Sequence, residues 1–144
     1  MKTARWLILP ALLLAGCDTV VTDEVTPLEP GTYALVSIDG APLPATEPCS
    51  ALRVEEERIT VGPARNVEYH QRGTRPPANE VRTLSATGSY RATFDGRVQL
   101  NLELTGTGAP EAFTAVLQRT PQGLTQNVGQ PCDGNSVKLY QLQR

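Results

Sequence analysis

The stretch RATFDGRVQLNLEL, residues 91–104, decides the fold. Val98, Leu100, Leu102 and Leu104 alternate strictly with Gln99, Asn101 and Glu103. That two-residue period buries one face of a strand and leaves the other in water. Asp95-Gly96 ahead of it suits the left-handed backbone of a tight two-residue hairpin turn. RTLSATGSYRATF, residues 82–94, supplies the partner strand upstream.

The same punctuation continues in both directions. GTYALVSID (31–39) is rich in β-formers and stops at Asp39-Gly40. LRVEEERITV (52–61) reads as two short strands, because Leu52/Val54 and Ile59/Val61 fall on opposite parities. A turn or bulge near Glu55–Glu57 is therefore needed to keep one face inward. NVEYHQR (66–72) is followed by a loop, GTRPPANE (73–80), whose paired prolines exclude a central strand. After RVQLNLEL comes a turn, TGTGAP, then EAFTAVLQRT (111–120), PQG, LTQNV (124–128) and a closing strand in NSVKLYQLQR (135–144). No stretch has a helical period. Up-and-down strands of this number close into a barrel or fold into a sandwich, and closure removes the exposed edges that invite aggregation. The expectation is an all-β domain over residues 31–144, a single antiparallel up-and-down β-barrel of about eight strands.

The first residues belong to something else. Lys2 and Arg5 precede an apolar run, Leu7 to Leu14, and two small residues, Ala15-Gly16, lead to Cys17. This is the layout of a secretory signal peptide. The run is interrupted by Pro10 and stops at Asp18, short of the roughly 20 apolar residues that span a bilayer. Leu14-Ala15-Gly16-Cys17 resembles the lipobox of bacterial lipoproteins. The resemblance implies a diacylglyceryl thioether on Cys17, cleavage just before it, and acylation (palmitate, for example) of the new amino terminus. Residues 1–16 are then the signal peptide, and the membrane is a partner through the lipid on Cys17. Several acyl chains make physical sense, because each buried methylene contributes about 0.8 kcal/mol and one chain holds only marginally. The implied location is the bacterial cell envelope, lipid-anchored and facing the periplasm. Asp18 resembles the inner-membrane retention signal of enteric bacteria, with the outer membrane left open.

Without residues 1–16 the chain carries 11 basic against 15 acidic side chains, and Lys138 is its one lysine. No basic patch is visible, which argues against nucleic acid as a partner. Residues 17–30 comprise the lipidated terminus and DTVVTDEVTPLEP, acidic and proline-bearing, expected to be a flexible tether.

GTYALVSIDGAPLP (31–44) is similar to the opening strand and turn of small exported bacterial β-barrels of lipocalin-like type. SATGSYRATFDGRVQL (85–100) resembles their repeated hairpin. The resemblance implies a lipocalin-like barrel with Tyr33 at its floor, and a role in binding a ligand or partner.

With Cys17 assigned to lipid, Cys49 and Cys132 remain, an even pair in an exported chain and each in a Pro-Cys loop. Outside the cytoplasm a disulfide between them is the expectation. A redox pair or a metal site finds no support, since there is no Cys-x-x-Cys spacing and no histidine cluster. His70, the one histidine, reads as a hydrogen-bonded strand residue. Glu55, Glu56 and Glu57 read as a solvated hairpin tip rather than a carboxylate pair. No phosphate-cradling glycine loop occurs. No cofactor, metal site or catalytic residue is expected, and the chain reads as a non-enzyme that binds a small apolar ligand or an envelope protein, with the ligand-binding residues left unassigned. The alternative is an enzyme inhibitor or envelope assembly factor acting through the Gly73–Glu80 loop.

Overall fold

The computed structural model describes residues 25–48, 50–106, 111–128 and 136–144. Cys17, Cys49 and Cys132 lie outside the described residues, as does the signal segment.

Ten strands form one sheet: β1 (Gly31–Ile38), β2 (Ala41–Pro42), β3 (Ala45–Thr46), β4 (Arg53–Val61), β5 (Asn66–Arg75), β6 (Glu80–Ala92), β7 (Arg97–Leu104), β8 (Ala112–Thr120), β9 (Gly123–Asn127) and β10 (Val137–Leu142). β4 to β10 follow one another as antiparallel neighbours, and β1 pairs with both β10 and β4, which closes an eight-stranded up-and-down barrel. β2 and β3 lie outside the ring, folding back on β1 and β4. The turn after β1 thus carries two short strands that its Pro-rich sequence did not announce.

The 91–104 stretch folds as its alternation requires. Val98, Leu100 and Leu102 are almost fully buried while Gln99, Asn101 and Glu103 face water, and Tyr90 pairs with Leu100 across the hairpin. Gly96, at φ 80°, provides the left-handed turn. The interior is filled from every strand, with Leu35, Ile59, Val67, Leu117, Leu124 and Tyr140 among its members.

Two sequence expectations change. LRVEEERITV is one continuous strand, not two, and the register shift between Val54 and Glu56 is the bulge that reconciles its parities. β5 and β6 extend to Arg75 and back from Glu80, so Gly73–Arg75 is strand and the turn shrinks to Pro76–Asn79. The prolines sit in that turn, where no ladder hydrogen bond is lost.

The barrel has two unlike ends. At the floor, where β1 begins and β10 ends, the preceding chain is docked. Leu28 is buried, its N–H donates to the Tyr90 hydroxyl at 3.0 Å, and the Tyr33 hydroxyl donates to the Glu29 carbonyl at 3.0 Å. Arg119 donates to the Thr26 carbonyl. Residues 26–29, within the stretch expected to be tether, are docked against the barrel floor. Burial of Leu28 contributes about 1.5–3 kcal/mol toward holding them there. Tyr33 lies at this end, buried beside the docked segment. The opposite end, the mouth, collects the 39–52 connection, the β5–β6 turn and the segments flanking the β7–β8 and β9–β10 connections.

Candidate functional site

Charge is carried into the interior at the mouth. Beyond the bulge, β4 points Glu57, Ile59 and Val61 inward, and the Glu57 side chain is 0% exposed. On β10, Lys138, Tyr140 and Leu142 share the inward face, which buries Lys138 to 3% exposure. A strand has no freedom to choose otherwise, because its side chains alternate.

These groups satisfy one another. Lys138 Nζ lies 2.8 Å from Glu57 Oε2 and 2.6 Å from Glu47 Oε1, a carboxylate held in the connection after β3. Gln71 Nε2 donates to Glu57 Oε2 at 3.0 Å, and the Tyr140 hydroxyl donates to Glu57 Oε1. Ser50 donates to the second oxygen of Glu47. Burial alone would push Lys138 toward neutrality. Glu57 and Glu47 together more than reverse that and raise its pKa above the usual lysine range. Burial likewise opposes the charge on Glu47, but Lys138, through its charge and hydrogen bond, brings the carboxyl below its usual range. Both groups are held ionised. Tyr140 and Tyr69 are pushed well above ordinary phenols, by burial first and by the Glu57 charge second, so both hydroxyls keep their protons.

Beside the triad is a cavity of about 170 Å³. Ile59, Leu100, Phe113, Ala115 and Leu117 form an apolar wall. Tyr69 meets Phe113 edge to face, with ring centroids 6.0 Å apart. Glu47, Gln71, Tyr69, Gln126, Lys138 and Tyr140 line it as well. An eight-stranded barrel has just enough interior for its own side chains or for one small ligand, and here a little room is left.

The mouth segments are tied together at the same place. Asp39 accepts from Ser136 Oγ at 2.8 Å and from the Val137 N–H at 2.7 Å, joining the end of β1 to the start of β10. The Glu47–Lys138 bond joins the β3–β4 connection to β10. Cys49 and Cys132 belong to those two connections in the sequence.

The remaining sequence candidates fall elsewhere. Glu55 and Glu56 stay on the surface, where they pair with Arg72 and Arg58, whereas Glu57 is in the core rather than at a solvated tip. The reading as a hairpin tip failed because the three acids sit inside one strand. Parity from Ile59 was the signal that finds Glu57, just as parity from Tyr140 finds Lys138. His70 is on the outer face, 3.3 Å from Ser85 Oγ, beside a polar cleft of about 180 Å³ that includes Glu68 and Thr105. No group of three or more potential metal ligands occurs among the described residues. Compared with known proteins, the chain matches no family model, no curated protein and no solved structure.

Proposed function

We propose that this chain is a non-catalytic lipoprotein, anchored by lipid on Cys17 in the bacterial envelope, whose barrel holds a small ligand at its mouth. The observation that carries the ligand reading is the buried Glu47–Lys138–Glu57 triad set against a part-empty, half-apolar cavity. Ordinary ligand pockets measure about 300–1,000 Å³, while an apolar cavity of about 150 Å³ accepts benzene. A volume near 170 Å³ therefore fits a body the size of one ring. Two carboxylates face one ammonium there, so an anion is repelled and a neutral or cationic head group is favoured. Cys49 and Cys132 complete the picture as a disulfide between the mouth connections that Glu47 and Lys138 hold together.

The test is mass spectrometry of natively purified protein, with proton NMR shifts of the tyrosine rings on titration with small phenols and aromatic amines. Binding that disappears in Ala115→Met, which extends a side chain into the cavity, supports the reading. A protein that is always empty and insensitive to the panel overturns it.

A second reading, the loop-mediated inhibitor or assembly factor, draws on one observation. β6 pairs with β7 only as far as Ala86, so Glu80–Leu84, still paired with β5, presents an edge that β7 does not cover, next to the Pro76-Pro77 turn. Excising residues 76–79 and finding the same co-purifying envelope proteins would end that reading.

A further inference from the structure

The floor carries a surface that the ligand reading does not use. Phe94 is the most exposed large apolar side chain among the described residues, at 80%. It is not on a loose tip. The Gly96 N–H donates to the Thr93 carbonyl at 3.1 Å, and the Thr93 N–H donates to the Arg97 carbonyl at 2.9 Å. Gln118 Nε2 donates to the Asp95 carbonyl at 3.0 Å, and the Arg119 N–H to the Gly96 carbonyl at 2.9 Å. The turn is thus fastened to β8, and the ring is held out in water by a rigid mount. A single exposed aromatic has no meaning by itself; its neighbours supply one.

Arg119 joins two things. Its N–H binds the Phe94 turn, and its guanidinium binds the Thr26 carbonyl. The point where the chain leaves toward Cys17 is therefore beside Phe94. Eight residues, 18–25, separate Thr26 from Cys17, and fully extended the chain between them spans about 30 Å. Among the described residues the same end presents Arg65, Arg91, Arg97 and Arg144, all exposed, together with the acids Glu29 and Asp95, and Asp95 is engaged by Arg97 at 3.1 Å. A cleft of about 420 Å³ bordered by Arg119 and Arg144 opens at this end.

We propose that the floor of the barrel docks on the anionic bilayer, with Phe94 entering the headgroup–acyl boundary among these arginines and the mouth turned away from the membrane. The proposal rests on the lipid-anchor reading. An aromatic ring at the interface with cations above it is the arrangement that bilayers favour at their surface. It directs the mouth cavity and both cysteine-bearing connections toward the periplasmic solvent.

The chain without residues 1–16 contains no tryptophan, because the one tryptophan is Trp6. Phe94→Trp at the floor and Val81→Trp near the mouth are therefore single-tryptophan reporters at positions 80% and 55% exposed, where neither disturbs the core. The full chain, purified from bacterial membranes, is reconstituted on vesicles of phosphatidylglycerol and phosphatidylethanolamine brominated near the headgroup. The expected result is a blue-shifted, bromine-quenched emission for Phe94→Trp and an unshifted, unquenched one for Val81→Trp. Loss of the shift at high salt or on phosphatidylcholine supports the role of the arginines. Two unquenched reporters on protein that stays vesicle-bound through Cys17 overturn the docking and leave the anchor standing. Quenching of Val81→Trp instead overturns the orientation. A purified chain with no lipid on Cys17 removes the anchor reading, and the docking proposal with it.

Discussion

Replacing Lys138 by methionine removes the cation of the buried triad while keeping the volume of its stem. Lys138 is 3% exposed and lies 2.6 and 2.8 Å from two carboxylates, one of them wholly buried. Breaking such a pair from one side leaves charge without a partner and costs about 3–5 kcal/mol. That is a large share of the roughly 5–15 kcal/mol that holds a domain folded. For a domain of this size it corresponds to a fall in melting temperature of roughly 10–20 °C. The pH dependence gives a sharper signature. In the natural protein Glu47 is held below its ordinary range, so the unfolded chain binds the proton more readily. Its stabilisation is present above pH of about 4.3 and is lost as the pH falls through the folded value. In Lys138→Met the two carboxylates face each other with no cation, and the folded protein takes up a proton more readily than the unfolded chain. The variant then gains stability on acidification while the natural protein loses it, and the two curves converge. Urea unfolding followed by far-ultraviolet circular dichroism from pH 8 down to pH 3 measures both effects. Glu57→Gln added to Lys138→Met recovers part of the loss at neutral pH. A variant within about 1 kcal/mol of the natural protein at pH 7, or two parallel pH curves, refutes the claim that the triad is desolvated and charged.

Leu28→Ala is expected to cost about 2–5 kcal/mol, as for a buried leucine, and denaturant unfolding checks it; a negligible change means that residues 26–29 are not part of the folded unit. Gly88→Ala places a Cβ 1.9 Å from the Asn101 carbonyl oxygen across β6 and β7. It costs about 3 kcal/mol, the upper end for overpacking, and amide exchange along β7 shows the damage. Below pH of about 10.4 the natural protein keeps the whole Lys138 contribution and loses it as the pH rises through that group's raised folded value; Lys138→Met has no such loss, so the two stability curves converge at high pH. Cys49→Ser is expected to cost roughly 4–5 kcal/mol for an 84-residue loop in the chain-entropy model, and the natural protein is expected to weigh two hydrogens less than its reduced form.

Alternation was enough to identify the all-β class and most of the strands. Val98 to Leu104 and the Asp95-Gly96 turn specify a hairpin from local geometry alone, and the parity conflict between Val54 and Ile59 specifies a bulge. These features depend on residues two to seven apart, which the sequence displays. The site was legible in the same code but needed one further step. Counting back by two from Ile59 and from Tyr140 lands on Glu57 and Lys138, yet charged side chains are so rarely buried that composition argues for the surface. Only closure of the ring overrides that expectation. It brings β4 and β10 to opposite flanks of β1 and sets a lysine from position 138 against carboxylates from positions 47 and 57.

The sequence by itself determined the main strands and their inward faces, because both are a matter of neighbours along the chain. The tertiary structure alone decided that the ring closes between β1 and β4, that Leu28 seals the floor and that a charged triad survives in the interior. The physical reason is that desolvation is a property of the assembled barrel. A lysine is costly to bury until two carboxylates from remote strands are fixed within hydrogen-bonding distance, and no local pattern records that they will be.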